Sequence, residues 1–212
     1  MTPSYPYLLV VVDGPSEARD AAPGVEGGGV VRTIIARIFG PEVARHITVR
    51  YWHHIPLSPL RTRIGHEEKA RRMIALADQT TAYGAVMVLD NDHTGERRLA
   101  ELRAGVERSS LPHRAAVGVA REMVEAWILA DPELLVKQLP AGKTSEELWG
   151  AKNDGASSYP KHVLKRCILE PRGWSHHEAV EAWSFDRARP HAPSLEAFAR
   201  EVERLAADQG VV

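Results

Sequence analysis

Apolar residues fall along this chain in two kinds of run. Tyr7-Leu8-Leu9-Val10-Val11-Val12 is short, continuous and rich in β-branched residues, and it ends at the turn signal Asp13-Gly14-Pro15. That pattern predicts a central parallel strand covered on both faces. Val31, Ile34, Ile35 and Ile38 recur at helical spacing and predict a helix over Val30 to Phe39, stopped at Gly40-Pro41. Ile47 to Trp52 alternates as a second strand, and His66 to Ala77 places Ala70, Met73, Ile74 and Ala77 on one helical side. Ala85 to Leu89 is a third strand, Gly95 to Glu107 a helix, Ala115 to Ala120 a fourth strand, and Glu122 to Leu129 the start of a further helix. Strands alternating with helices predict an α/β fold: a mostly parallel central sheet flanked by crossover helices, Rossmann-like in plan.

The texture changes after Asp131-Pro132. Pro140 to Pro160 is polar and turn-rich, and Leu195 to Leu205 is amphipathic at helical period. The expected division is an α/β domain over 1–139 and a helical appendage over 140–212, packed on the sheet. Ser16 to Gly29, rich in Gly, Pro and Ala, is expected as a loop.

Charge and composition narrow the function only a little. The 212 residues carry a formal net charge of -1, so no global basic field advertises nucleic acid, although a local basic groove is compatible with that balance. The single cysteine, Cys167, leaves no disulfide framework and no cysteine zinc cluster. Leu8 to Val12 is too short for a secretory apolar region, and no run reaches bilayer length. The expectation is a soluble cytoplasmic protein with no membrane partner.

The chemistry concentrates in acids near strand ends. Asp90 and Asp92 flank Asn91 directly after the third strand, and alternate strand residues share a face. Two such charges at about 4 Å and an effective dielectric near 20 repel by roughly 4 kcal/mol. A divalent cation between them reverses the sign. Asp13 and Glu17 follow the first strand, Glu122 and Glu125 open a helix after the fourth, and Glu26 lies within Gly24-Val25-Glu26-Gly27-Gly28-Gly29. If strands one and three are parallel neighbours, these acids reach one sheet edge, where sites of open α/β sheets form. Oxygen-only ligands suit Mg²⁺, Mn²⁺ or Ca²⁺. Each acid also has a plain structural reading: Asp in a turn or cap, Glu in a first helical turn. Glu125 resists it, because it stands in the buried-looking stretch Glu125-Ala126-Trp127-Ile128-Leu129, where an acid requires a partner or an ion.

Other groups carry less. Arg61, Arg63, Lys69, Arg71 and Arg72 form one basic set, and Lys152, Lys161, Lys165 and Arg166 another. Each reads either as a phosphate groove or as a solvated helix face, the first paired with Glu67 and Glu68. Tyr159 and Trp174 read as base-stacking or as packing residues. His53-His54 and His176-His177 are adjacent pairs, which rarely chelate one ion on a strand. Gly27-Gly28-Gly29 lacks the nucleotide-loop pattern, and Ser16 has no partner histidine.

Three stretches taken together resemble a Toprim domain, the topoisomerase–primase fold. They are Val12-Asp13-Gly14-Pro15-Ser16-Glu17, Asp90-Asn91-Asp92, and Glu125-Ala126-Trp127-Ile128-Leu129-Ala130-Asp131. The chain is similar to small bacterial Toprim-like proteins of uncharacterised function and to the Toprim half of OLD-type nucleases, and Trp183 to Leu205 shares their character. The resemblance implies an Mg²⁺- or Mn²⁺-dependent nuclease cutting DNA or RNA. Asp13, Glu17, Asp90, Asp92 and Glu125 would be its catalytic and metal-holding residues, and an ATPase protein, or a second copy of the chain, its companion. A role in phage defence goes with the same family. Asp13 stands where that family carries Glu, one methylene longer, which implies either an active nuclease or an attenuated module that binds nucleic acid or a partner protein without chemistry. Phosphoryl transfer on a small substrate is a third expectation.

Overall fold

The computed structural model describes residues 7–13, 29–55, 65–80, 82–91, 96–121, 123–139, 143–146, 160–208 and 210. Strands β1 (Leu8–Val12), β2 (Ile47–Tyr51), β3 (Gly84–Asp90) and β4 (Ala115–Ala120) form one sheet in the order β2-β1-β3-β4. Every neighbouring pair is parallel, with Leu8 opposite both Ile47 and Gly84, and Ala85 opposite Ala115. The α/β architecture read from the apolar pattern is therefore the observed one.

Period-two alternation sorts the strand side chains into two cores. Leu8, Val10, Val12, Val86, Val88, Ala116 and Ala120 face one side, and Leu9, Val11, Ala85, Met87, Leu89, Ala115 and Val117 the other. Both faces are buried, which is why β1 and β3 read as unbroken apolar runs. The first face is covered by α1 (Val30–Phe39) and α5 (Val124–Leu129). The second is covered by α3 (His66–Gln79) and α4 (Arg97–Glu107). Gly40, at φ 92, stops α1, and Pro41 then opens the short helix α2 (Pro41–Arg45), where its missing N–H costs nothing.

From Pro160 onward the described chain is largely helical. It forms α6 (Pro160–Leu164), a π-helical turn over Lys165–Leu169, α7 (Glu170–Arg172), α8 (His176–Ala182), α9 (Phe185–Ala188) and α10 (Pro193–Asp208). Ser175 caps α8 in a reciprocal capping box with Glu178. These helices share the first core: Val163, Ile168, Val180, Phe185, Phe198 and Val202 are buried with β1, β3 and α1. Phe198 of α10 lies on Gly118 of β4 and stacks on Trp127 at 5.6 Å. A Cβ on Gly118 would stand 2.5 Å from that ring, so the glycine is what lets α10 sit down on the strand. Among the described residues, no helix is long and apolar enough to cross a membrane.

Element ends shift by a residue or two from the sequence pattern. β3 runs one residue further, because Asp90 still pairs with Ala120 of β4. α10 starts at Pro193, a proline at the first helical position being pre-set for the turn. The expected loop over Ser16 to Gly29 and the polar stretch from Pro140 to Pro160 fall almost wholly outside the described residues.

Candidate functional site

Because β1 and β3 are parallel neighbours, their carboxyl ends open on the same edge of the sheet. Asp13 follows β1 directly and Asp90 is the last residue of β3. The Asp90 backbone N–H donates to Asp13 Oδ2 at 2.9 Å. The Asp90 carboxylate turns the other way along the edge, and its Oδ1 accepts the N–H of Val124, the first residue of α5, at 3.1 Å. Asp90 is 8% exposed. The two acids are thus tied to three elements through main-chain donors, which fixes their positions better than side-chain packing alone.

Positive charge borders the pair. Arg98, in the first turn of α4, donates to Asp13 Oδ2 at 3.3 Å and to the Asp90 carbonyl. Lys69 of α3 donates to the Trp52 carbonyl at 3.0 Å and lies 5.3 Å from the centre of the Trp52 ring. Burial pushes the Lys69 ammonium below its ordinary pKa, and the Asp13 charge opposes that shift. Trp52 Nε1–H donates to His66 Nδ1 at 2.9 Å, which leaves the other ring nitrogen of a neutral imidazole carrying the proton. The His66 pKa is lowered, first by burial and then by Arg98. None of Trp52, His66 or Arg98 was singled out from the sequence. Their only signal there is a tryptophan, a histidine and an arginine in ordinary helical or strand-end positions.

Glu125 lies in the first turn of α5 and is 4% exposed. Lys161 Nζ of α6 stands 3.7 Å from its Oε1. His176 of α8 lies close enough to feel the Glu125 charge, although burial, the larger effect, lowers the His176 pKa. The buried acid thus has a cationic partner, as its apolar neighbourhood demands. Glu17, Asp92, Glu122 and Glu26 lie outside the described residues. The structure therefore brings Asp13, Asp90 and the start of α5 to one edge. Among the described residues alone, no three His, Cys, Asp or Glu side chains converge to hold a metal.

Among the described residues of the basic sets, Arg71, Arg72 and Lys165 form ordinary helix-face pairs. Arg71 and Arg72 pair with Glu68 on α3, holding the Glu68 carboxyl down at about 2. Glu67 pairs across to Arg108, just past the end of α4, and Lys165 pairs with Glu170. Trp174 is covered by the Arg172 guanidinium at 4.7 Å. Lys69 and Lys161 instead face the acids of the sheet edge. Arg61, Arg63, Lys152 and Tyr159 lie outside the described residues. Cys167 is buried, and burial raises its thiol pKa, which suits a packing residue.

The two depressed histidines set a pH dependence. A histidine that resists protonation when folded but titrates near 6.5 when unfolded favours the unfolded chain as pH falls. Stability is therefore fully present above that value and declines below it. The urea midpoint is expected to drop between pH 7.5 and pH 5.5, and to drop less in a His66→Asn/His176→Gln double variant. Equal drops in both proteins would refute the assignment.

Comparison with protein-family models, with curated proteins and with solved structures finds no match to this chain.

Proposed function

We propose that the protein is a metal-dependent nuclease of Toprim type, hydrolysing phosphodiester bonds of DNA or RNA. The observation that carries this reading is the tie of the Asp90 N–H to the Asp13 carboxylate at the carboxyl edge of parallel β1 and β3, with the start of α5 held by the Asp90 carboxylate. Two carboxylates at neighbouring strand ends, with only oxygen donors, suit a hard cation. Asp13 and Asp90 would hold Mg²⁺ or Mn²⁺, with Glu17 and Asp92 supplied by the flanking segments. When bound, such an ion polarises a phosphate and acidifies a water.

The chain's own residues supply the rest. Arg98 and Lys69 place positive charge beside the acids, where a phosphate would enter. Glu125, desolvated at the start of α5, positions the attacking water. An ATPase companion and work in phage defence belong to the same reading and rest on the family resemblance alone, and a cytoplasmic setting rests on the sequence pattern of apolar runs.

The decisive experiment is cleavage of labelled single- and double-stranded DNA and RNA with Mg²⁺ or Mn²⁺, against the Asp90→Asn variant. Asparagine keeps an acceptor for the Val124 N–H, so the fold is retained while the charge is lost. Activity is expected to fall by at least about 10²-fold. Cutting that survives in Asp90→Asn would end this assignment.

A second reading draws on a specific feature: Asp13 is already neutralised by Arg98, and Glu125 by Lys161. The domain would then bind nucleic acid or a partner protein and do no chemistry. It predicts an inert native chain in which Asp13→Glu, restoring the longer arm, gains metal-dependent cutting.

A further inference from the structure

Trp52, directly after β2, organises two side chains of α3 from one place. Its ring N–H donates to His66 Nδ1 at 2.9 Å, with the two ring planes 14° apart. Its carbonyl accepts from Lys69 Nζ at 3.0 Å, and the same ammonium stands 5.3 Å from its ring centre. Trp52 is buried, so both contacts start from a fixed point. His66 and Lys69 are three residues apart and share one face of α3.

These contacts leave two donors unspent. An indole N–H can only donate, so Nδ1 is the acceptor, and the proton of the neutral imidazole sits on Nε2, on the far side of the ring from Trp52. That N–H has no acceptor among the described residues. Lys69 gives one of its N–H bonds to the Trp52 carbonyl and makes no ion pair among the described residues. It is partly buried, and burial holds its ammonium below the ordinary pKa. The acids whose charge reaches this pair are already matched, Asp13 by Arg98 and Glu101 by Arg97. A partly desolvated cation without a counter-charge is costly until an anion completes it. A point charge beside a fixed N–H suits phosphate oxygens, which accept from both.

We propose that His66 and Lys69 together hold one internal backbone phosphate of the bound nucleic-acid strand, on the α3 side of Asp13, with Trp52 as the positioning residue that aims both. The proposal rests on the reading of a nucleic-acid substrate and deepens it by naming where the strand is gripped. The two residues do different work. Lys69 neutralises the phosphate and so releases a counterion from the nucleic acid. His66 adds a directed N–H without charge, so it releases none.

Equilibrium binding of the full chain to a fluorescein-labelled DNA duplex, followed by anisotropy in EDTA at pH 8 over a series of salt concentrations, separates the two roles. His66 is uncharged at that pH, since its pKa lies below 6.5. Lys69→Gln is expected to flatten the slope of log K against log salt by about 0.9, the value for one duplex phosphate contact, and Lys69→Arg to keep the native slope. His66→Asn retains an acceptor for the Trp52 N–H but lacks the far donor. It is expected to weaken binding about tenfold at unchanged slope. His66→Gln, whose amide nitrogen reaches the place of Nε2, is expected to restore the affinity. Duplexes with and without 5′-phosphates are expected to bind alike. Melting temperatures establish that the variants are folded. An unchanged slope in folded Lys69→Gln, equal losses in His66→Asn and His66→Gln, binding confined to 5′-phosphorylated ends, or no binding of duplex at all overturns the proposal. With metal chelated and nothing cut, these outcomes are read apart from the nuclease assay: cutting that survives in Asp90→Asn ends the nuclease assignment and leaves this phosphate site standing.

Discussion

Replacing Asp131 with alanine is expected to lower stability by about 3 kcal/mol, the lower end of the range for breaking a buried ion pair. Asp131 is fully buried. Its Oδ1 accepts from Arg187 Nε at 2.8 Å and from the Glu133 N–H at 3.2 Å, and its Oδ2 from Arg187 Nη2 at 2.7 Å and the Ser184 N–H at 2.9 Å. One carboxylate thus satisfies two backbone donors and a forked guanidinium, and ties the end of α5 to the start of α9. Alanine leaves those donors without an acceptor. The Arg187 side chain is 36% exposed and can turn to water, which keeps the loss near the lower bound. Urea denaturation monitored by circular dichroism checks it; a change under 1 kcal/mol would mean the bonds are replaced by solvent. The same residue ended the Glu-Ala-Trp stretch of the sequence, where it looked like part of a functional pattern. Its observed role is to brace the helix that carries Glu125.

Alanine at Gly105 is the second large effect expected. On an exposed helix that substitution stabilises by roughly 1 kcal/mol through propensity. Here the sign reverses. A Cβ at Gly105 would stand 2.2 Å from the Glu67 carbonyl oxygen and 2.9 Å from Ala70 Cβ, so the backbones of α3 and α4 must move apart. Overpacking against rigid main chain at that distance costs about 3 kcal/mol, the upper end of the usual range, and after the propensity gain a net loss of about 2 kcal/mol follows. For a chain of this size that is a fall of about 4–8 °C in melting temperature. Arg98 sits on α4 and Lys69 on α3, so the shift also moves the cations that border Asp13. An unchanged or raised melting temperature would show that the helices can separate without strain.

Both effects mark where reading the sequence stops. The elements were legible because their signals are local: continuous β-branched runs for β1 and β3, helical spacing in α1 and α3, and Gly-Pro punctuation after α1. Asp13 and Asp90 were legible as strand-end acids, and the alternating order of elements implied parallel strands, but that β1 and β3 are neighbours was a condition only the sheet order met. Gly105 carried no such signal, because its need for a missing side chain arises only where α3 crosses α4.

Charge neutralisation was invisible for the same reason. Arg98 reaches Asp13 from 85 positions away, Lys161 lies across a helix interface from Glu125, and Arg187 crosses 56 positions to Asp131. Nothing in a linear string distinguishes these cations from Arg71 or Arg72, which turn to Glu68 on their own helix. Glu146 was passed over inside a polar, turn-rich stretch, and its role as the acceptor for the Ser194 N–H and hydroxyl at the start of α10 appears only in the folded chain. Short-range periodicity and steric rules therefore wrote the α/β layering and the strand-end acids into the chain. Which charges are quenched and which glycines are obligatory were set by packing, because each depends on distances between segments that folding alone creates.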